Sequence, residues 1–553
     1  MVTWVCCCLR NRYSKARKFG RCNDVSSTSF ISTHCICCLP NTAYPSLKAT
    51  MPSSAVLVSP QGFLKLPREL RDAVYEHYVA HSDGYRYNPE TGKLQTSDGS
   101  IIEASFMYTC KQIAAEMKGL GLRYNTIAFT ATLQRNPNTV ERATRFHTIM
   151  EIINQTRLSL LDHCRSLITP EIESNIESSF ADCGSFLQLP RTRFRHRCQE
   201  QMEISKLWGM VPSQHRDLVT QVLQQIEKTG AFPGSGLPPD SYLSPLFRIQ
   251  GLRNLSDIVH EPWKVPTEVE LNQMEQACPT VRRMKTDMRP KRCFSAAALA
   301  VHFLKSLPES MQSTVTKVCL HEVNIAAAFP ECHAKALIPF CVQNPKLRIE
   351  RHVNLWQYSL PGFFSNIGAM SPVFTLDGLV PTRCFMLRSG ITRHVANWIE
   401  EALALHAAGM PANSFSLIFS GRPDHVRSVV DVVKEDATWQ AALEECVRRK
   451  SVALPAPGPD NFFAGFRGYA IHILDAFPKK MAHVLAGKSF IRFSGVIEEL
   501  PCVEDTIRDN RDCVTYKDWD RKWKLTMPTS IDSIVNILPR TNYAPFGGYY
   551  NCL

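Results

Sequence analysis

No run of apolar residues approaches the roughly 18 that a helical membrane span requires. The nearest candidate, FSAAALAVHFL at 294 to 304, is too short. The opening MVTWVCCCLRNRY lacks the basic n-region and long apolar core of a secretory leader. A chain with 21 cysteines and no such leader belongs in a reducing compartment, so the expectation is cytoplasm or nucleus. Also missing are the dinucleotide fingerprint, the P-loop lysine, the G-x-S-x-G elbow, the EF-hand loop and the kinase signature set. Without them the expectation is a protein that is not an enzyme, with no catalytic residues assigned and no cofactor. There is no paired C-x-x-C, and no repeat of fixed period.

Charge of one sign is scarce once it is mapped. The net charge is +12, but half of it falls in residues 1 to 50, where Arg10, Arg12, Lys15, Arg17, Lys18, Arg21 and Lys48 face Asp24 alone. The remainder is close to neutral for its size, which weakens the case for a nucleic-acid partner. Apolar residues at 44% and charged residues at 21% are ordinary for globular proteins. At 553 residues the chain is long enough for two to four domains.

Composition and periodicity divide it. Residues 1 to 55 read as a disordered, basic, Cys-rich leader, or as upstream translation with Met51 the native start. Residues 56 to 135 form a small helical module. Its FLKLPRELRDAVYEHYV places Phe63, Leu66, Leu70, Val74 and Tyr78 at helical spacing with Pro67 in the first turn. A second helix, FMYTCKQIAAEMKGL, aligns Phe106, Cys110, Ile113, Met117 and Leu120, and the two stripes are expected to bury against each other. Between them GYRYNPETGKLQTSDGS reads as a hairpin that projects as an insert. A helical region follows at 136 to 229, then a linker and basic loop at 230 to 292. Residues 293 to 540 alternate helix and strand, and 541 to 553 form a tail. The expected class is mixed α/β: a helical module with a hairpin insert, then an irregular α/β domain, either a layer or a solenoid.

Chemistry-bearing residues gather at Cys319, His321, Glu322, Cys332, His333 and Cys341, in CLHEVNIAAAFPECHAKALIPFC. Their spacings are irregular for zinc, and neighbouring Cys332 and His333 diverge in a helix or strand, so buried structural residues are expected and no metal is assigned. An enzyme site around His321, Cys332 and His352 is the alternative. Two basic segments, Arg191, Arg193, Arg195 and Arg197, then Arg282, Arg283, Lys291 and Arg292, form the basis of a third reading, a nuclear polyanion binder.

LPRELRDAVYEHYV followed by FMYTCKQIAAEMKGLGLRYNTIAF resembles the N-terminal module of F-box-like proteins of filamentous fungi, whose pattern is LPxELRxxIY, then TCRQIxxEAxxLLYxxNTF. Leu66, Pro67, Glu69, Leu70, Arg71 and Tyr75 match the first half. Thr109, Cys110, Gln112, Ile113, Glu116, Tyr124, Asn125, Thr126 and Phe129 match the second. The resemblance implies a substrate adaptor of a cullin-type ubiquitin ligase, docking a Skp-type linker protein while the α/β part holds an unknown protein target. The docking residues it implies, together with the apolar neighbours of that helix, are Leu64, Leu66, Pro67, Leu70, Val74, Tyr75 and Tyr78. The chain departs from an ordinary F-box in its hairpin region, in Lys111 and Ile113, and in having no Trp near the second helix.

Overall fold

The computed structural model describes residues 60–133, 136–180, 211–230, 261–277, 291–356, 388–453 and 471–525, apart from 472, 475 and 497. The described residues divide into two compact units, one of 60–80 together with 102–121, the other of 81–101 and the described residues from 122 onward.

The first unit holds helix α1 (Arg68–Val79), preceded by a 3-10 turn at Pro60–Lys65, and the short helix α2 (Lys111–Glu116), preceded by another at Ser105–Tyr108. The second helix is therefore shorter than its apolar pattern suggests. Cys110 caps it, its sulfur accepting from the Ile113 amide, and Gly119 at φ 81° lies just beyond its end. α1 buries Arg71, Tyr75 and Val79, while Leu66, Leu70 and Val74 face outward. The expectation that the two apolar stripes bury against each other holds only at the ends of the first stripe, where Phe63 and Tyr78 meet Phe106. Of the second stripe Ile113 and Met117 are buried, but the face of α1 turned inward is one step round the helix and carries a cation and a phenol.

The second unit is built on a seven-stranded sheet: β1 (Tyr85–Asn88), β2 (Lys93–Thr96), β3 (Thr126–Ala131), β4 (Lys317–Glu322), β5 (Arg348–Asn354), β6 (Phe415–Ser420) and β7 (Ile491–Phe493). Their spatial order is β2-β1-β3-β4-β5-β6-β7, with β1 and β2 antiparallel and every other neighbouring pair parallel. The mixed α/β class is as expected from the sequence. The hairpin is not a projecting insert: β1 pairs with β3, and the hairpin forms one edge of the sheet. Gly84 leads into it at φ 67°, where an added Cβ would lie 2.3 Å from the Thr126 carbonyl oxygen. Only glycine fits so close an approach.

Parallel strands in sequence order put each crossover beside the last. The helices include α3 (Pro137–Cys164), α4 (Pro170–Ser179), α5 (Pro212–Lys228), α6 (Glu268–Ala277), α7 (Ala296–Ser306), α8 (Arg388–Ala407), α9 (Pro423–Arg448), α10 (Phe477–Leu485), α11 (Val503–Asp509) and α12 (Tyr516–Leu525). α7 packs on β3 and β4, and α10 on β7. One face of β3 to β7 is buried in strict alternation and the other is half-buried or exposed. Beyond β7, α9 joins α12 through Trp439, Trp519 and Trp523 in a second apolar cluster.

Two residues on the buried face break the apolar rule. Glu322 and Arg351 are 0% and 1% exposed. Arg351 donates from Nη2 at 2.7 Å and Nε at 3.1 Å to Glu322 Oε1, and from Nη2 to the Pro330 carbonyl at 2.7 Å. Its guanidinium also lies 4.6 Å from the Trp398 ring centre. The same carboxylate accepts from the Ala296 and Ala297 amides in the first turn of α7, where a helix presents unpaired N–H groups and partial positive charge. Nearby, Ser295 caps α7 by accepting from the Ala298 amide and hydrogen-bonds His333 Nδ1 at 2.7 Å, while His333 Nε2 lies 2.7 Å from the Ala328 carbonyl. Burial holds this imidazole neutral, its pKa lowered to about 3.

Deleting one partner of a buried ion pair leaves an uncompensated charge. Glu322→Ala is expected to lower stability by about 3–5 kcal/mol, read as an earlier midpoint in urea. Glu322→Gln with Arg351→Met, which removes both charges and keeps an acceptor for the Ala296 and Ala297 amides, should lose less. A second expectation concerns Glu401 of α8, which is 1% exposed and accepts from the Ser213 amide and hydroxyl at 2.6 and 2.8 Å. Burial pushes this carboxyl up to about 7, with Arg216 opposing and Glu331 adding repulsion. The unfolded chain releases the proton near 4.5, so the folded state holds more protons across that window, and stability falls as pH rises from about 4.5 to 7. Thermal melts of Glu401→Gln should show a shallower fall than the parent across the same range.

Candidate functional site

In the first unit a hydrogen-bonded group organises what the surface can show. Glu116 accepts from Arg71 Nε at 3.0 Å and Nη2 at 2.8 Å, from the Tyr75 hydroxyl at 2.7 Å and from Gln112 at 3.0 Å. The remaining Arg71 nitrogen, Nη1, donates to the Leu66 carbonyl at 2.5 Å, tying the approach to α1 onto the helix itself. Phe106 packs against Phe63, Tyr75 and Tyr78, with ring centres 5.3 to 5.9 Å apart. With Arg71 and Tyr75 turned inward, the positions one step round the helix must face outward. Leu70 and Val74, four residues apart on α1, are accordingly 53% and 42% exposed, and Leu66, just before the helix, is 37% exposed. Of the remaining docking candidates, Pro67 is exposed, Leu64 and Tyr78 are half-buried, and Tyr75 is fully buried and unable to meet a partner. Tyr108, not anticipated as a docking residue, is 66% exposed.

In the second unit the half-open sheet face brings together groups that sequence spacing keeps apart. Registration sets Cys319 beside Glu350 and His321 beside His352 on adjacent strands β4 and β5. Cys319 Sγ lies 3.3 Å from His321 Nε2, the two imidazoles stack with centres 5.2 Å apart, and His352 Nε2 is 3.9 Å from Glu350 Oε2. Lys317 pairs with the other Glu350 oxygen at 3.5 Å. Burial pushes the Cys319 thiol up to about 11, with Glu350 adding to the rise. Both imidazoles are held below their usual value by burial first, with repulsion from His352 adding to the shift of His321.

The alternative enzyme site of His321, Cys332 and His352 does not assemble. Cys332 is buried in the turn Pro330–Leu337, whose carbonyls Arg351 reaches from the covered side of the sheet, whereas the two histidines stand on the other side. Cys341 is likewise a buried free thiol, and Glu322 and His333 belong to the structural network around α7. Glu350 was not expected beside the Cys and His residues. The readable signal was C-x-H in one strand and E-x-H in the next, since residues two apart share a face.

Among the basic candidates, Lys291 is exposed but Arg292 is 5% exposed and cannot serve an open patch. Arg191, Arg193, Arg195, Arg197, Arg282 and Arg283 lie outside the described residues. Among the described residues no helix is long and apolar enough to cross a membrane.

The carboxyl of Glu116 is held at about 2, chiefly by its hydrogen bonds from Arg71, then Gln112 and Tyr75. Its pKa in the unfolded chain is near 4.5, so this contribution is complete above that value and is lost as pH falls toward 2. Acid titration followed by tyrosine fluorescence should show Glu116→Gln losing less stability than the parent between those limits.

Comparison of the chain with models of known protein families, with curated proteins and with solved structures finds no match in any of the three.

Proposed function

We propose that this is a protein-interaction protein of the F-box-like type, a substrate adaptor whose first unit docks a Skp-type linker of a cullin-based ubiquitin ligase and whose second unit holds a protein target. The observation that carries the reading is the outward exposure of Leu70 and Val74 on α1, with Leu66 exposed just before its N-cap, in the segment that bears the LPxELR pattern. Apolar residues aligned along an exposed helix face serve helix-in-groove and helix-on-helix recognition. Burying what these three still expose is worth about 1 kcal/mol each, short of the roughly 8 kcal/mol of a micromolar complex. Additional contacts are therefore required, and Leu64, Pro67 and Tyr108 are available in the same unit. The half-open sheet face supplies polar and apolar groups to a target, through Ser416, Ile418 and Ser420 on β6 and Asn354 on β5. Such an adaptor would work in the cytoplasm or nucleus.

The test is binding of the full-length chain to a purified Skp-type linker protein. Micromolar or tighter binding is expected, weakened at least about tenfold by Leu70→Asp with Val74→Asp, since a loss of 1.4 kcal/mol is one order of magnitude. Absence of binding by chain shown to be folded, or equal binding by the double variant, overturns the reading. The two substitutions lie on exposed positions and leave the Glu116 group intact.

A further inference from the structure

We propose that Cys319, Glu350 and His352, with His321 beside them, bind a divalent metal ion of the zinc class on the half-open face of the sheet. This rests on strand registration and is independent of the adaptor reading. The candidate ligand atoms of Cys319, Glu350 and His352 lie within 4.8 Å of one another, and all three side chains are half-buried.

Distances decide how far the cluster is from a coordination shell. With zinc–sulfur and zinc–nitrogen bonds of about 2.3 and 2.05 Å, tetrahedral geometry places the two ligand atoms about 3.6 Å apart, and nitrogen and oxygen ligands about 3.4 Å apart. Cys319 Sγ and His321 Nε2 stand at 3.3 Å, and His352 Nε2 and Glu350 Oε2 at 3.9 Å. The Cys319, Glu350 and His352 atoms lie within 4.8 Å of one another, wider than a shell, so side-chain rotation must draw them together around the ion. Three donors of different kinds, sulfur, oxygen and nitrogen, then take three positions and leave the fourth to a water, with His321 standing beside the set against Cys319 Sγ.

The donor chemistry selects the ion. Thiolate and imidazole disfavour magnesium and calcium, whereas a mixed thiolate, imidazole and carboxylate set suits zinc or cobalt. A thiolate and a carboxylate also neutralise a divalent ion with both imidazoles uncharged, so the occupied site carries no net charge. Lys317, held by the Glu350 oxygen that does not face His352, leaves the other oxygen free to ligate. It acts as the outer partner that fixes carboxylate orientation.

The experiment is cobalt titration of the reduced full-length chain, followed by the visible absorption of tetrahedral thiolate-bound cobalt and its loss on adding zinc. The leader is itself rich in cysteine, so a variant with Cys6, Cys7, Cys8, Cys22, Cys35, Cys37 and Cys38 all changed to Ser is titrated alongside. The expected result is one tetrahedral cobalt retained by the leader variant, with Cys319→Ser and His352→Gln each weakening it by about tenfold or more. No tetrahedral signal in the leader variant, or an undiminished signal in both site variants, overturns the proposal. Circular dichroism establishes that each variant is folded, and if Cys319→Ser unfolds the sheet, Glu350→Gln makes the same test without touching the sulfur.

Discussion

The second unit depends on one buried carboxylate. Glu322 ends β4 and faces three obligations at once: the open first turn of α7, the guanidinium of Arg351 on β5, and, through that guanidinium, the carbonyl of Pro330. A lone buried charge is severely penalised, and a buried helix N-terminus leaves amides without partners. Each problem is the solution of the other. The helix dipole and the amides stabilise the anion, the anion satisfies the amides, and Arg351 completes the charge balance. Because the three groups come from a strand, a crossover helix and the neighbouring strand, their meeting fixes where α7 starts relative to the sheet.

The first unit uses the same device on a smaller scale. Two helices of 12 and 6 residues are too short to persist alone, and their mutual apolar contact is limited. A bidentate Arg71–Glu116 pair, closed by Tyr75 and Gln112, supplies directional contacts where hydrophobic area is small. Arg71, Tyr75, Gln112 and Glu116 are four of the fifteen residues on which the resemblance of this stretch to the fungal F-box-like pattern rests. Their recurrence in such a pattern has a packing reason irrespective of what the module binds.

Much of the architecture could be read from residue order. Alternation in KLRIERHVNLW located β5 and both of its faces, and TKVCLHEV and SFSLIFSG located its neighbours. Residue order is silent where an interaction joins residues distant in the chain. Leu66, Leu70 and Val74 have the spacing of a buried stripe, yet Arg71 and Tyr75 win the inner face because Glu116, 45 and 41 positions away, offers them an anion. Local periodicity cannot see that partner. Likewise YRYNPETGKLQT was recognisable as a hairpin, but its role as a sheet edge depends on a parallel pairing with β3. The Cys319 cluster escaped for the same reason: half of it belongs to the next strand.

The sequential order of the parallel strands also bears on how this protein can change over evolutionary time. Each strand from β4 onward pairs only with the one before and the one after it, so a crossover can grow without moving any pairing already made. The excursion from Ala131 to Lys317 is far longer than that from Glu322 to Arg348, yet both return the chain to the adjacent lane in register. Length is thus a free variable at every crossover, and new surface can be grafted onto one rung while the rest of the ladder keeps its geometry.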